Sequence, residues 1–139
     1  MKMIKKITVI DGQGGSLGKS IVKRIKEKYP TIEIIAIGTN SIATSAMLKS
    51  GADGIATGEN PVIVAAREAD IIIGPIGIVI ADALHGEITP KMATAVGQSK
   101  AHKIFIPVSR CNLTIAGTKK IGLETIINEI IDSIEAILS

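Results

Sequence analysis

Lys6-Ile7-Thr8-Val9-Ile10-Asp11-Gly12-Gln13-Gly14-Gly15-Ser16-Leu17-Gly18-Lys19-Ser20-Ile21-Val22 is the stretch whose reading decides the fold. It opens on a β-branched run that suits a buried strand and stops at Asp11-Gly12. Beyond the glycines, Leu17, Ile21, Val22, Ile25 and Tyr29 recur at helical spacing until Pro30. The segment reads as strand, glycine turn and helix.

The alternation continues outward from this unit. Residues 32–37 are apolar apart from Glu33, as expected of a strand covered on both faces, and Gly38-Thr39-Asn40-Ser41 then offers turn and cap chemistry for a helix over about 42–49. A weak strand near 54–56 leads to Asn60-Pro61, which reads as a cap with proline at the first helical position of a helix through Glu68. Residues 70–73 form the next strand, 74–77 its exit loop and 78–84 a short helix. Thr89-Pro90 repeats the cap-plus-proline signal for a helix reaching about Gln98. A fifth strand is expected at 104–107 and a short sixth at 113–116. Leu123, Ile126, Ile127, Ile130, Ile131, Ile134, Ile137 and Leu138 then draw one apolar stripe along a final helix. Strands alternating with helices predict a single α/β domain over 1–139. It is a three-layer, doubly wound Rossmann-like domain with a mainly parallel sheet of 5–6 strands.

Composition narrows the class. A chain of 139 residues with 46% hydrophobic content is long enough for one sizeable core. Isoleucine supplies 29 of the residues and the aromatics are only Tyr29 and Phe105, so that core is built from branched aliphatics. The single cysteine, Cys111, forms no intrachain disulfide, and the basic start over residues 1–6 is followed by an apolar stretch that Asp11 cuts too short for a signal peptide. The longest apolar run, 71–81, is broken by Gly74, Pro75 and Gly77 and falls short of the roughly 20 residues of a membrane helix. The chain reads as cytoplasmic, with no membrane partner. Its net charge is +3 with only three scattered arginines, which makes a solvated basic face rather than a nucleic-acid surface. A mean hydropathy of +0.41 on so short a chain leads us to expect a homo-oligomer.

In a doubly wound sheet the ligand lies beyond the carboxyl ends of the strands. The loops that leave those ends hold Gly12, Gln13, Gly14, Gly15, Ser16, Leu17 and Gly18, then Thr39, Asn40 and Ser41, then Gly74, Pro75 and Ile76, and finally Arg110. We take these as the candidate cofactor-binding residues. Glycines allow both a tight turn and a close backbone approach to phosphate, and the helix that follows presents unpaired amides to an anion. The loop misses the Walker pattern by one residue, Gln13, which weakens Lys19 as a phosphate-gripping lysine. A purely structural glycine turn is the competing reading. Asp11 is either a turn-capping carboxylate or a bridge to magnesium.

The same residues resemble the cofactor turn of short-chain dehydrogenases, TGxxxGxG. Asp11 stands for the threonine, Gly12 and Gly18 are kept and Ser16 replaces the middle glycine. That family's catalytic YxxxK is missing, since the sole tyrosine, Tyr29, is followed four residues later by Glu33. The resemblance therefore implies a nucleotide-binding fold without that reaction. Twenty residues beyond Gly18, where a dinucleotide site places an acid on the adenosine ribose, stands Gly38. Thr39, Asn40 and Ser41 are hydroxyl and amide groups suited to the 2′-phosphate of NADP. With no Lys or Arg beside them, a modest preference for NADP over NAD is expected.

The candidate catalytic residues are His85, Glu87 and Cys111. His85-Gly86-Glu87 lies in a loop able to fold over the site, and Arg110 beside Cys111 favours a thiolate. A surface turn and a small packing residue are the plainer alternatives. His85, His102 and Cys111 lack close metal-ligand spacing, so no metal site is expected.

Taken together, Asp11-Gly-Gln-Gly-Gly, Gly38-Thr-Asn-Ser-Ile-Ala-Thr-Ser-Ala-Met, Gly74-Pro-Ile-Gly-Ile, Gly86-Glu-Ile-Thr-Pro-Lys-Met and Arg110-Cys-Asn resemble a small uncharacterised bacterial family catalogued as a domain of unknown function. The resemblance implies a Rossmann-like domain and no particular activity. Two functions of different class stay open. One is a module that binds or senses an NADP-like nucleotide; the other is a small oligomeric enzyme using His85, Glu87 or Cys111. A mononucleotide-binding phosphotransfer protein built on Lys19, Ser20 and Asp11 is a third.

Overall fold

The computed structural model describes residues 3–13, 15–107 and 113–139. Strands β1 (Lys6–Asp11), β2 (Glu33–Gly38), β3 (Gly54–Thr57), β4 (Ile71–Pro75) and β5 (His102–Ile106) alternate with helices α1 (Ser16–Lys28), α2 (Ser41–Met47), α3 (Glu59–Glu68), α4 (Pro90–Gln98) and α5 (Leu123–Leu138). The sheet order is β3-β2-β1-β4-β5 and every pairing is parallel. From β1 the chain adds β2 and β3 on one side, then crosses back to lay β4 on the other. The carboxyl ends of β1 and β4 thus flank the point where the winding reverses, which is where open α/β sheets hold ligands. This is the expected doubly wound, Rossmann-like arrangement.

Side chains alternate across the strands and divide the core in two. On one face Ile7, Val9, Ile34, Ala36, Ile71 and Ile73 pack beneath Ile21, Val22 and Ile25 of α1 and Ile127, Ile130, Ile131 and Ile134 of α5. On the other, Ile10, Ile37 and Ile72 pack beneath Val62, Ala65 and Ala66 of α3 and Met92 and Val96 of α4. Fully burying one such isoleucine is worth about 1.5–3 kcal/mol, so the branched aliphatics alone account for a sheet covered on both faces. Arg24 donates to Glu124 at 2.9 Å and to Asn128 at 2.6 Å, and Lys28 to Glu135 at 3.0 Å. Solvent screens these exposed pairs, so the apolar stripe of α5 is what holds it against α1.

Two of the expected caps are present. Asn40 accepts the amide of Ala43 at 2.8 Å to start α2, and Thr89 accepts that of Met92 at 3.2 Å to start α4, with Pro90 following. Four boundaries differ from expectation. Helix α3 begins at Glu59 behind Gly58, so Asn60 and Pro61 lie inside its first turn, where a proline's missing N–H costs nothing. Gly74 and Pro75 complete β4 instead of forming its exit loop, because they pair with Phe105 and Ile106 of β5. The helix expected over 78–84 is only a 3-10 turn, Ile76–Val79, since extended backbone at Ile80 ends it and left-handed backbone at Asp82 and Leu84 bars a restart. Residues 113–116 pair with no strand, leaving five strands among the described residues. No helix among those residues is long and apolar enough to cross a membrane.

Candidate functional site

The loop from β1 to α1 is organised by Asp11. Its Oδ1 accepts the amide of Gly12 at 2.8 Å and its Oδ2 that of Gly18 at 2.6 Å. The carboxylate therefore ties both ends of the loop together. Burial pushes its pKa above the ordinary value, and the amides of Gly18 and Gly12 oppose that rise. This is the turn-capping role. Among the described residues no cluster of three His, Cys, Asp or Glu side chains is arranged to hold a metal ion.

Close packing sets the loop's small residues. Gly15 has φ +72°, closes a turn by donating to the Gly12 carbonyl at 3.1 Å, and backs onto Ala43 of α2, whose carbonyl oxygen a β-carbon would strike. A β-carbon at Gly18 would lie 2.6 Å from the Met47 sulfur and 2.8 Å from Cβ of Asp11. At Gly12 it would meet Leu84 at 2.7 Å and the Thr39 hydroxyl at 2.8 Å. Ser16 and Lys19 are exposed at the start of α1, while Leu17 leans on the core. Gln13 is left-handed at φ +51°. Gly14, Arg110 and Cys111 lie outside the described residues.

The segment after β4 folds back over this loop. Asp82, Leu84, His85 and Gly86 all have positive φ, at 68°, 57°, 56° and 84°. Aspartate and histidine visit this region more readily than most residues; leucine does so at a cost of about 1–2 kcal/mol. The turn is over-determined by backbone bonds from Asp82 to the Ile88 carbonyl at 2.7 Å, Gly86 to that of Asp82 at 3.1 Å and Ile88 to that of Ala83 at 3.1 Å. Leu84 is thereby laid on Gly12. Strain of this kind concentrates at functional sites.

The same turn delivers Glu87 to the end of β2. Its carboxylate accepts the Thr39 hydroxyl at 3.1 Å and the Asn40 amide at 2.9 and 3.2 Å. Of the residues singled out in the sequence, the structure brings together Asp11, Gly12, Gly15, Gly18, Thr39, Asn40 and Glu87. His85 is exposed within the turn, and Ser41 is exposed at the first position of α2. Gly74 abuts the Ile10 carbonyl of β1, and Pro75 is buried at the end of β4. Ile76 lines a separate cavity of about 490 Å³, with Ile106, Thr114, Lys119, Lys120 and Ile126, at the carboxyl ends of β4 and β5. The sequence reading missed the Glu87 contact with Thr39 and Asn40, which spans 47–48 residues, and Leu84 as the cover of Gly12.

The model of a family described as Domain of unknown function (DUF3842) matches residues 6–139. No curated protein matches the sequence. Among solved structures, malate dehydrogenase of Cryptosporidium parvum is similar at 19% identity with a TM-score of 0.35, over 60% of this chain and 30% of that one.

Proposed function

The chain belongs to the DUF3842 family, and from its own geometry we propose that it is a nucleotide-binding or sensing module whose phosphate site is loop 12–18. The observation that carries this reading is the placement of that loop. It leaves the central strand at the point where the sheet reverses its winding and runs directly into a helix of 13 residues. Asp11 takes the amides of Gly12 and Gly18 and the Gly12 carbonyl takes that of Gly15, so a phosphate is received by the amides of Ser16 and Leu17 at the start of α1.

NADP was the ligand expected from Thr39, Asn40 and Ser41. Glu87 engages the first two of these donors, so the support that remains is for a nucleotide held through its phosphates. Glu87 in that position is a binding group, which favours a module over the enzyme reading. The module is further read as a homo-oligomer, because Ile42 of α2 and Leu48, which caps its end, are 71% and 61% exposed. A monodisperse monomer in light scattering removes that part.

The test is a thermal-shift screen against NAD, NADP, ATP, GTP, FAD and coenzyme A, repeated on Gly14→Val. A tight ligand raises the apparent melting temperature by mass action. Gly14→Val is expected to lose the shift while its circular-dichroism spectrum is retained. A shift unchanged in Gly14→Val, or no shift with any nucleotide, refutes the assignment.

A further inference from the structure

Gly38 ends β2, the position from which a side chain would reach the ribose of a nucleotide seated on loop 12–18. A β-carbon there would strike the Thr44 hydroxyl and backbone amide and lie 2.8 Å from the Asn40 carbonyl oxygen. The tight entry into α2 therefore bars any acidic side chain from that position. Yet a carboxylate stands beside it. Glu87 reaches across from the turn between β4 and α4 and is fixed by Thr39 and Asn40, the two residues that follow Gly38. Thr39 in turn lies against Gly12, so the carboxylate and the phosphate loop border the same space at the ends of β1 and β2.

From this juxtaposition we infer that Glu87 is the ribose-recognising acid of the site, supplied from a distant loop, and that it selects nucleotides with a free 2′-hydroxyl against those carrying a 2′-phosphate. The inference rests on the nucleotide reading above. A carboxylate accepts hydrogen bonds from a ribose diol, and the same negative charge repels a phosphate attached there. Residues 38–48 contain no Lys or Arg to neutralise such a phosphate. The site thereby reverses the preference expected from Thr39, Asn40 and Ser41 alone, because their donors already serve an anion of the protein's own.

Calorimetric titration of the full chain with NAD and with NADP decides the matter. Wild type is expected to bind NAD tighter than NADP by about tenfold or more, as like charges brought together in a site oppose binding strongly. Glu87→Gln, which keeps the side chain's shape and loses its charge, is expected to shrink that gap to within about threefold. Equal or tighter NADP binding by wild type overturns the inference and leaves the nucleotide reading standing. A gap unchanged in folded Glu87→Gln overturns it as well. Binding of neither dinucleotide overturns the inference, and the nucleotide reading falls with it only if ATP, GTP, FAD and coenzyme A give no thermal shift either. If Glu87→Gln does not fold, as judged by circular dichroism, the wild-type ratio alone decides.

Discussion

The carboxylate of Asp11 and the amide of Gly18 are seven residues apart in sequence and 2.6 Å apart in space. One buried side chain thus sets the span of the loop that enters α1, with its second oxygen holding Gly12. Removing it leaves two backbone amides without their acceptor. Asp11→Ala is expected to lower stability by about 1–3 kcal/mol, read from equilibrium urea unfolding. Asp11→Asn is expected to cost less, because its amide oxygen still accepts one of the two bonds. Equal losses in the two variants would show that the two acceptor oxygens work only as a pair and that the retained shape and single amide oxygen preserve nothing.

The glycines make opposite predictions according to their surroundings. Gly18→Ala places a methyl against Met47 and the backbone-proximal carbon of Asp11, which a packed core accommodates at a cost of about 1–3 kcal/mol. Gly97, by contrast, lies in α4 with nothing within 4 Å of a β-carbon. Gly97→Ala is expected to raise stability by about 0.5–1 kcal/mol through helix propensity. Thermal unfolding of the two variants side by side checks both signs.

Much of the fold is written in local pattern. The apolar runs around Ile34–Ile37 and Ile71–Ile73 became strands because only a sheet covered on both faces buries so many consecutive branched side chains. Asn40 and Thr89 are caps because their side-chain oxygens serve orphan amides three residues on. What local pattern does not carry is the turn over 80–88. Leucine has no tendency toward the left-handed backbone that Leu84 adopts, and only tertiary packing on Gly12 and the bonds around Ile88 impose it. The Glu87 contact with Thr39 and Asn40 depends on that turn, so it was invisible for the same reason. The absence of an acid at Gly38 was legible, but not its steric cause, which is the approach of Thr44 from the next helix.

Asp53 gives the fold a defined acid sensitivity. Its Oδ2 accepts from Lys26 and from the Ile34 amide, both at 2.8 Å, and these bonds, the Lys26 one foremost, hold its pKa below the ordinary value. A carboxylate with a lowered folded-state pKa contributes stability that is present above its unfolded value and lost as pH falls through the folded one. Wild type is therefore expected to exceed Asp53→Asn in stability near neutral pH, with the difference vanishing as pH drops below the ordinary carboxylate range. Asp11, raised by burial, acts with the reverse sign: its contribution is greatest below the unfolded value and declines as pH rises through the folded one. Urea midpoints of wild type and Asp53→Asn across this pH range test the assignment, and a pH-independent difference would sink it.

His85 separates the backbone role of the 80–88 turn from a chemical one. It is left-handed at φ +56°, exposed, and part of the turn that carries Leu84 and Glu87. Replacing it by glycine removes a conformational cost of about 1–2 kcal/mol and adds an unfolded-state entropy cost of about 0.5–1 kcal/mol. His85→Gly is therefore expected to stabilise the protein slightly, by about 0.5–1 kcal/mol, since no buried side chain is lost. Because the backbone of the turn is preserved, Glu87 stays on Thr39 and Asn40, and nucleotide affinity is expected to be unchanged. Urea unfolding and calorimetric titration of the same preparation read the two quantities independently. A stabilised variant that no longer binds nucleotide would place the imidazole itself in the site and return weight to the enzyme reading. A destabilised variant would show that the imidazole anchors the turn through its side chain.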